Sequence, residues 1–374
     1  MNFLFACGGT AGHINPALAI AEQLGKLVPG SRFLFIGAGR EMENRLIPSA
    51  GYELVNIKMS GLKRGFAPSD IVHNIKTAGY LMSAGKEAAK FIKNFSPQAA
   101  IGTGGYICYP VLKKAAQLGI PTIVHESNAV PGLTTKMLSA IVDRVLVSFP
   151  GLEDTYKKPE RVVFTGTPVR GGFELGKAKS EGLKTTGKPL VLSFWGSLGA
   201  EHMNEKIAEF IKLNIERDGF DHIHATGKSG GADEMNGRLA KLGAAEQLPP
   251  GIDIREYIDD MHSAMSAADI VMCRAGGSTV AELTAMGKPA VLIPSPYVSN
   301  NEQEKNAQQL VNAGGAVLLD EEGCSGKLLF DTVADILADE QRLMRMSEAQ
   351  ASLGVPEAAR RIAEIVLSLS KNTK

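Results

Sequence analysis

The chain has 374 residues, of which 44% are hydrophobic and 21% charged; this is ordinary for a soluble globular protein and long enough for two domains. Its 40 Lys and Arg balance 40 Asp and Glu, so a formal net charge of zero gives no bulk attraction to nucleic acid. The four cysteines, Cys7, Cys108, Cys273 and Cys324, lie far apart with no CxxC or Cys/His pattern, which argues against a disulfide framework or zinc site and fits a reducing compartment.

The chain starts on an apolar strand, Phe3–Cys7, with no basic stretch before it, so no signal peptide is expected. No apolar run approaches the roughly 18–20 residues of a membrane helix. Further strands are expected at Phe33–Ile36, Leu54–Ile57, Ala99–Thr103, Thr122–His125, Arg144–Ser148 and Val162–Thr165. A second series follows at Leu190–Trp195, His222–Thr226, Ile252–Glu256, Ile270–Cys273, Ala290–Ile293 and Ala316–Leu319. Helical patterns separate most neighbours, which implies right-handed βαβ crossovers and parallel sheets covered on both faces. The Lys-, Gly-, Ser- and Thr-rich stretch from Gly176 to Pro189, preceded by Gly171-Gly172, reads as a linker. The expected division is residues 1–165 and residues 166–346, with a tail of about 347–374 packing back on the first domain. In that tail, a helix from about Ser347 to Leu369 places Ala359, Ile362, Ile365, Val366 and Leu369 on one face.

Polar and glycine-rich motifs fall at the carboxyl ends of these strands, where doubly wound sheets bind ligands. Gly8-Gly9-Thr10-Ala11-Gly12-His13 follows the first strand, with Asn15 a plausible N-cap and Pro16 a first-turn residue. A glycine turn alone signals little. His13 at its mouth is either a proton acceptor for an attacking hydroxyl or a structural or merely substrate-contacting imidazole. Gly102–Tyr106 and His125-Glu126-Ser127-Asn128 close two other strands, the latter as a capped loop or a source of polar substrate contacts. Gly166-Thr167-Pro168-Val169-Arg170 carries an arginine that is either solvated or a fork for a diphosphate oxygen. Gly196-Ser197-Leu198-Gly199-Ala200 repeats the anion-turn logic.

The most telling stretch is Arg274–Pro294, in which a strand runs into Ala275-Gly276-Gly277-Ser278 and then a helix expected from near Thr279. Bare N–H groups and the positive end of a helix dipole make such a turn a place for a diphosphate. Glu282 is open to two readings: the partner in a capping box with Thr279, or the acceptor for two vicinal ribose hydroxyls. Gln303, in the first turn of an amphipathic helix from Asn301 to Leu310, either bonds sugar hydroxyls or belongs to a solvated face. Asn56–Phe95 carries seven Lys/Arg against two acidic residues, with apolar residues such as Leu62, Phe66, Ile71, Ile75, Tyr80, Leu81 and Met82 interleaved. It is an ordinary helix with a basic outer face or a docking surface for an anionic membrane.

Taken in order, these motifs resemble the MurG family of peripheral membrane glycosyltransferases of peptidoglycan synthesis (family 28), over nearly the whole chain. The residues that carry the resemblance are Gly8–Leu24, Ser60–Gly65, His125–Lys136, Gly166–Arg170, Gly196–Ala200, Glu256–Met261, Arg274–Leu283 and the Gln303…Asn306-Ala307 helix. The resemblance implies an α/β GT-B fold: two Rossmann-like, doubly wound parallel-sheet domains with an interdomain cleft. It implies inverting transfer of N-acetylglucosamine from UDP-GlcNAc to the C4 hydroxyl of the MurNAc-pentapeptide of lipid I, giving lipid II and UDP, at the cytoplasmic face of the cell membrane. No cofactor, resident metal or nucleic-acid partner is implied. Carried over by motif, the donor contacts are Thr10, Ala11, Gly12, Asn128, Arg170, Ser197, Ile258, Gly277, Ser278, Thr279, Val280, Ala281, Glu282 and Gln303, while Gly102–Tyr106 and the first loop face the acceptor. Within that frame Ile258 lies beside the uracil, Glu282 holds the ribose and Gln303 the sugar. His13 is the first choice for general base, with Glu126 behind it. Three residues depart from the family pattern: Ala11 where many members have glycine, Trp195 before Gly196, and Glu201 where a basic residue is common. The alternatives are another GT-B enzyme, such as a glycolipid glycosyltransferase or a UDP-GlcNAc 2-epimerase, and a non-catalytic nucleotide-sugar-binding protein.

Overall fold

A computed structural model describes residues 1–59, 68–170, 183, 186–196, 198–228, 230–244 and 247–371. Within residues 68–82 only the Tyr80 side chain is described, and the Ser299 side chain is not. Thirteen strands are present among the described residues, each within one residue of its expected ends. They divide into two parallel sheets in two compact units, one formed by 1–170 with 355–374 and the other by 171–354.

The first unit carries β1 (Asn2–Cys7), β2 (Arg32–Gly37), β3 (Glu53–Asn56), β4 (Ala99–Gly104), β5 (Thr122–Glu126), β6 (Arg144–Val147) and β7 (Val162–Phe164). Its helices are α1 (Ala11–Leu27), α2 (Glu41–Ser49), α3 (Pro68–Phe95), α4 (Cys108–Gln117) and α5 (Leu133–Leu138). The strand order is β3-β2-β1-β4-β5-β6-β7. Central β1 is buried from Phe3 to Cys7, as an apolar strand covered on both faces must be, whereas edge strands β3 and β7 are only part-buried. Phe5 stacks on Phe35 at 4.9 Å between centroids. On one face β1 and its neighbours pack with Ala84, Ala88 and Ile92 of α3 and Val111 and Leu112 of α4; on the other, with Ile14, Leu18 and Ile20 of α1.

The second unit carries β8 (Leu190–Phe194), β9 (Asp221–Ala225), β10 (Ile252–Arg255), β11 (Ile270–Cys273), β12 (Ala290–Leu292) and β13 (Ala316–Leu318), in the order β10-β9-β8-β11-β12-β13. Its helices are α6 (Glu201–Arg217), α7 (Ala232–Lys241), α8 (Met261–Ala267), α9 (Gly277–Met286), α10 (Glu302–Asn312), α11 (Gly326–Ala338) and α12 (Glu340–Leu353).

The expected single tail helix is two. After α12, Gly354-Val355-Pro356 intervenes, because proline cannot continue a helical ladder and pushes the residue before it out of the α region. The chain then forms α13 (Ala358–Lys371), which belongs to the first unit, buries Ala359, and places Ile362, Ala363 and Val366 in the core cluster that holds Phe3 and Phe5. Ile365 and Leu369 pack against the same cluster, so the expected apolar face exists on a shorter helix.

Both sheets reverse their strand order beside their first strand, at β1/β4 and at β8/β11. Those two points are where an open α/β sheet leaves a crevice beyond its carboxyl edge.

Candidate active site

At the β1/β4 switch of the first unit two glycine turns touch. Gly8 N–H donates to the Gly104 carbonyl at 3.2 Å. A Cβ on Gly105 would stand 2.5 Å from the Gly8 carbonyl oxygen, so only glycine permits this approach. Helix α1 starts at Ala11 with Thr10 as its N-cap, well before the Asn15 cap read from sequence. Pro16 therefore sits inside the helix, supplying no N–H to the turn above it. The earlier start places Ala11, Gly12 and His13 in the first turn, at the positive end of the dipole. Ala11 has no positive φ, so its methyl group is accommodated; Gly9, at φ 94°, is the residue that needs glycine.

His13 is part-exposed. Its Nδ1 lies 2.9 Å from the Gly8 carbonyl oxygen, and since a carbonyl only accepts, Nδ1 carries the proton. The neutral ring then presents an Nε2 lone pair. Thr103 Oγ1 donates to the His13 carbonyl at 2.7 Å, and a Cβ on Gly104 would stand 2.7 Å from His13 Cγ and 2.8 Å from Nε2. The imidazole thus rests on a bare glycine backbone.

Glu126 is 7% exposed, and its carboxylate is fully engaged. One oxygen accepts from Asn128 N–H (3.1 Å) and Asn128 Nδ2 (3.2 Å), the other from Gly132 N–H (3.0 Å) and Thr135 Oγ1 (2.7 Å). It ties the loop after β5 to α5, and no hydrogen bond among the described residues joins it to His13. Neighbouring His125 is buried, with Nε2 donating to the Gly166 carbonyl at 3.0 Å; burial lowers its pKa to about 4, so it is a neutral structural imidazole. Arg170 is exposed at the end of this unit's main segment.

At the β8/β11 switch of the second unit, the turn after β8 holds Gly196 and Gly199 at positive φ, and a Cβ on Gly227 would collide with the Gly199 backbone. Ser197 lies outside the described residues. Trp195 is 4% exposed and faces the Arg274 guanidinium at 5.8 Å, so this departure from the family pattern packs into the domain core. Arg274 donates to the Ile293 carbonyl (2.9 Å) and to Glu321 (2.7 Å), fixing the start of the Ala275–Ser278 turn. Asn306, fully buried on α10, donates to the Ala275 carbonyl at 3.0 Å from the other side.

Helix α9 starts at Gly277 with Gly276 as N-cap and no side-chain cap. The Thr279–Glu282 capping box is therefore overturned: Thr279 is already in the first turn, and Glu282 sits too far along the helix to reach the N-cap. Gly277, Ser278, Thr279 and Ala281 are part-exposed, and Val280 is buried. Glu282 is part-exposed and has no hydrogen-bond partner among the described residues, and burial pushes its carboxyl up to about 8. Gln303 is part-exposed, and its Oε1 accepts from Ser295 N–H at 2.9 Å, which leaves its amide N–H groups directed by that bond. Ile258 is 4% exposed in the segment between β10 and α8, where Asp260 caps α8 by accepting from Ser263 N–H at 3.0 Å.

The sequence reading missed Glu43, which is fully buried in α2. Its Oε1 accepts from Gly9 N–H (2.8 Å), and its Oε2 from Ala38 N–H (2.7 Å) and Arg40 N–H (3.0 Å). An acidic residue three positions after Arg40 at a helix entry, flanked by Gly37 and Gly39, was the available signal. The Arg274–Glu321 pair was also missed, since partners 47 residues apart leave no local pattern.

The described residues of the basic segment show Ala84, Ala88 and Ile92 turned to the core and Lys86, Lys90 and Lys93 exposed. Ser60–Gly65 and the side chains of Leu62, Phe66, Ile71, Ile75, Leu81 and Met82 lie outside the described set. No described helix is long and apolar enough to cross a membrane.

Comparison with known proteins places this geometry. The glycosyltransferase family 28 N-terminal domain matches residues 3–147, and the family 28 C-terminal domain matches residues 190–362. A UDP-N-acetylglucosamine–N-acetylmuramyl-(pentapeptide) pyrophosphoryl-undecaprenol N-acetylglucosamine transferase of Acetivibrio thermocellus is 43% identical over 100% of this chain and 99% of its own. The protein of the same name from Bacillus cytotoxicus is 38% identical over 99% of this chain and 100% of its own. The crystal structure of Acinetobacter baumannii MurG superposes with a TM-score of 0.72 at 26% identity, covering 98% of this chain and 100% of that one. A putative UDP-N-acetylglucosamine 2-epimerase from Listeria monocytogenes, at 14% identity and a TM-score of 0.71, shares the fold alone. The chain belongs to glycosyltransferase family 28.

Proposed function

We propose that this chain is an inverting hexosyltransferase that moves N-acetylglucosamine from UDP-GlcNAc to the C4 hydroxyl of the MurNAc-pentapeptide of lipid I, forming lipid II and UDP. The observation that carries the site assignment is Glu282. A part-buried carboxylate with no partner among the described residues, on a helix that opens on a bare glycine turn, is a group built to accept from a ligand. Its two oxygens suit the vicinal hydroxyls of a ribose. The first-turn N–H groups of Gly277, Ser278 and Thr279 suit the adjoining diphosphate, with Val280 and Ala281 forming the floor. Ile258 supplies an apolar contact for the base and Gln303 amide donors for the sugar; Ser197 and Arg170 are assigned to the diphosphate by motif.

In the first unit Thr10, Ala11 and Gly12 line the turn that faces the acceptor, and Asn128 contributes a polar group from the loop that Glu126 holds. The C4 hydroxyl attacks the anomeric carbon opposite the diphosphate. The new C1–O bond forms as the C1–O bond to UDP breaks, and UDP leaves with the electron pair. The hydroxyl proton passes to His13 Nε2, the free lone pair of a ring whose Nδ1–H is committed to Gly8. Direct displacement inverts the centre and needs no enzyme nucleophile. Glu126, with both oxygens engaged, holds its loop rather than taking the proton.

The acceptor's lipid requires work at a membrane surface. The exposed Lys86, Lys90 and Lys93 fit a peripheral association with anionic lipid at the cytoplasmic face. The reading is tested by UDP release from UDP-GlcNAc with and without a lipid I analogue. Release that depends on the acceptor is expected. Release without acceptor would replace the transferase reading with hydrolysis or epimerase-type chemistry.

A further inference from the structure

Glu43 and His13 share no direct contact, yet one peptide group joins them. Gly8 and Gly9 are linked by a single planar amide. Its N–H, that of Gly9, donates to Glu43 Oε1 at 2.8 Å; its carbonyl, that of Gly8, accepts from His13 Nδ1 at 2.9 Å. We infer that Glu43 is a positioning residue that acts on His13 through the Gly8–Gly9 peptide, holding the ring in its Nδ1–H tautomer and stabilising the imidazolium that forms as Nε2 takes the acceptor's proton. This deepens the assignment of His13 as base and rests on it.

The local packing is built around this line. Three backbone N–H groups converge on the fully buried Glu43 carboxyl, a donor set that matches a carboxylate, whose oxygens only accept. A Cβ on Gly8 would collide with Glu43 Oε1, one on Gly37 would stand 2.7 Å from Oε2, and one on Gly104 would collide with the His13 ring. The glycines thus clear the space the carboxylate and the imidazole occupy. A negative charge on the N–H side of an amide polarises it and makes its carbonyl a stronger acceptor, because hydrogen bonds in series reinforce one another in a low dielectric. When His13 becomes positive, the charge is shared from Nδ1–H to the Gly8 carbonyl and felt at Glu43. No proton travels along the line; the only proton that moves is the one from the acceptor hydroxyl to Nε2. The logic is that of a base oriented by a third group, here with a peptide between the two.

The other titratable groups around this line are the thiols of Cys7 on β1 and Cys108 on α4, with Glu126 on β5 and Arg40 at the entry of α2. Burial raises the Cys7 thiol well above its usual range, with Cys108 and Glu43 adding to the rise, and burial pushes Cys108 up to about 12. Both stay neutral through a pH profile run around neutrality. Glu126 is tied to its own loop, and Arg40 lies at an exposed helix entry.

The test is nitrogen-15 NMR of the His13 ring in the full-length protein, together with the pH dependence of kcat, for the wild type and Glu43→Gln. In the wild type the neutral ring is expected as the Nδ1–H tautomer. In Glu43→Gln an amide must face one of the converging N–H groups. We expect a larger share of the Nε2–H tautomer, and kcat reduced about tenfold with UDP affinity unchanged, a fraction of the 10²–10⁴-fold a general base supplies. An unchanged tautomer in a folded Glu43→Gln protein would overturn the inference. A shifted tautomer with unchanged kcat would support the peptide link and instead overturn His13 as the base. If Glu43→Gln does not fold, the unmutated protein still decides. When the His13 ring takes up a proton, the Gly9 amide signal should move more than those of the Ala38 and Arg40 amides, which share the carboxylate but not the peptide. Equal movement of all three would overturn the proposal.

Discussion

The two switch-point turns are alike in backbone and opposite in how their carboxylates are treated. In the first unit Glu43 and Glu126 are buried and each accepts at least three hydrogen bonds from nearby chain. In the second unit Glu282 has no partner among the described residues, and burial pushes its carboxyl up to about 8. A satisfied carboxylate rigidifies what surrounds it, while an unsatisfied one costs free energy until something binds. On the proposed reading, the first turn is preorganised for aiming an imidazole, and the second carries a deficit that a donor's hydroxyls would remove.

The largest effect that would break this comparison is at His13. His13→Ala should lower kcat by about 100-fold or more, roughly 2.7 kcal/mol of barrier, with UDP affinity unchanged. Near-normal turnover would leave the first turn as scaffold only. Next is Glu282→Ala, expected to weaken UDP binding about 30-fold in calorimetry, since hydrogen bonds to a charged group contribute roughly 1.5–3 kcal/mol. Unchanged affinity in a folded variant would remove the ribose role. Gly104→Ala should cost about tenfold in kcat without touching UDP affinity, because its methyl group would displace the His13 ring and misplacement alone slows chemistry. A matching loss of UDP affinity would show that the two turns do not separate acceptor chemistry from donor binding.

Glu282 also gives the comparison a pH signature. Its carboxyl titrates near 4.5 when exposed and at about 8 in the folded protein. Between those values the folded state holds a proton that the unfolded chain has released. The group's contribution is therefore full below about 4.5 and is lost as the pH rises towards about 8. Wild type should fall in Tm relative to Glu282→Gln across that window. Donor binding favours the charged form, so UDP should bind with proton release, read from calorimetry in buffers of different ionisation heat. Parallel Tm curves and no proton release would mean the carboxylate is already ionised and partnered.

Strand positions were legible because parallel strands buried on both faces, such as Phe3–Cys7 and Ile270–Cys273, must be near-continuous apolar runs. The turns at Gly8 and Gly276 were legible because close backbone approach demands glycine. Helix starts were not: Asn15-Pro16 and Thr279 carried good capping chemistry, but α1 and α9 begin earlier, on Thr10 and Gly276, where strand geometry delivers the chain. The break at Gly354–Pro356 was written in the sequence and was outweighed by the apolar periodicity of the tail that follows. Glu43 left only a faint signal, an acidic residue at a helix entry between glycines, for a different reason. Its partners are backbone N–H groups of Gly9, Ala38 and Arg40, and a backbone donor leaves no residue signature. For the same reason Glu126, read as a reserve base, is engaged at the end of β5 by donors that its position did not reveal.

The smallest expected effect is the sharpest test of that last distinction. Thr135→Val keeps the shape of a buried side chain and deletes one donor to Glu126 Oε2, leaving Gly132 N–H on the same oxygen. The loss should be about 1 kcal/mol, felt locally. Hydrogen exchange at the Asn128 and Gly132 amides should quicken about fivefold, because these groups depend on the same carboxylate. Turnover should stay within about twofold of wild type, since a carboxylate that only holds its loop retains three of its four donors. A drop in kcat as large as that of Gly104→Ala, without faster exchange, would mean Glu126 feels the reaction directly. The contrast between carboxylates that hold and the one that waits would then belong to Glu43 and Glu282 alone.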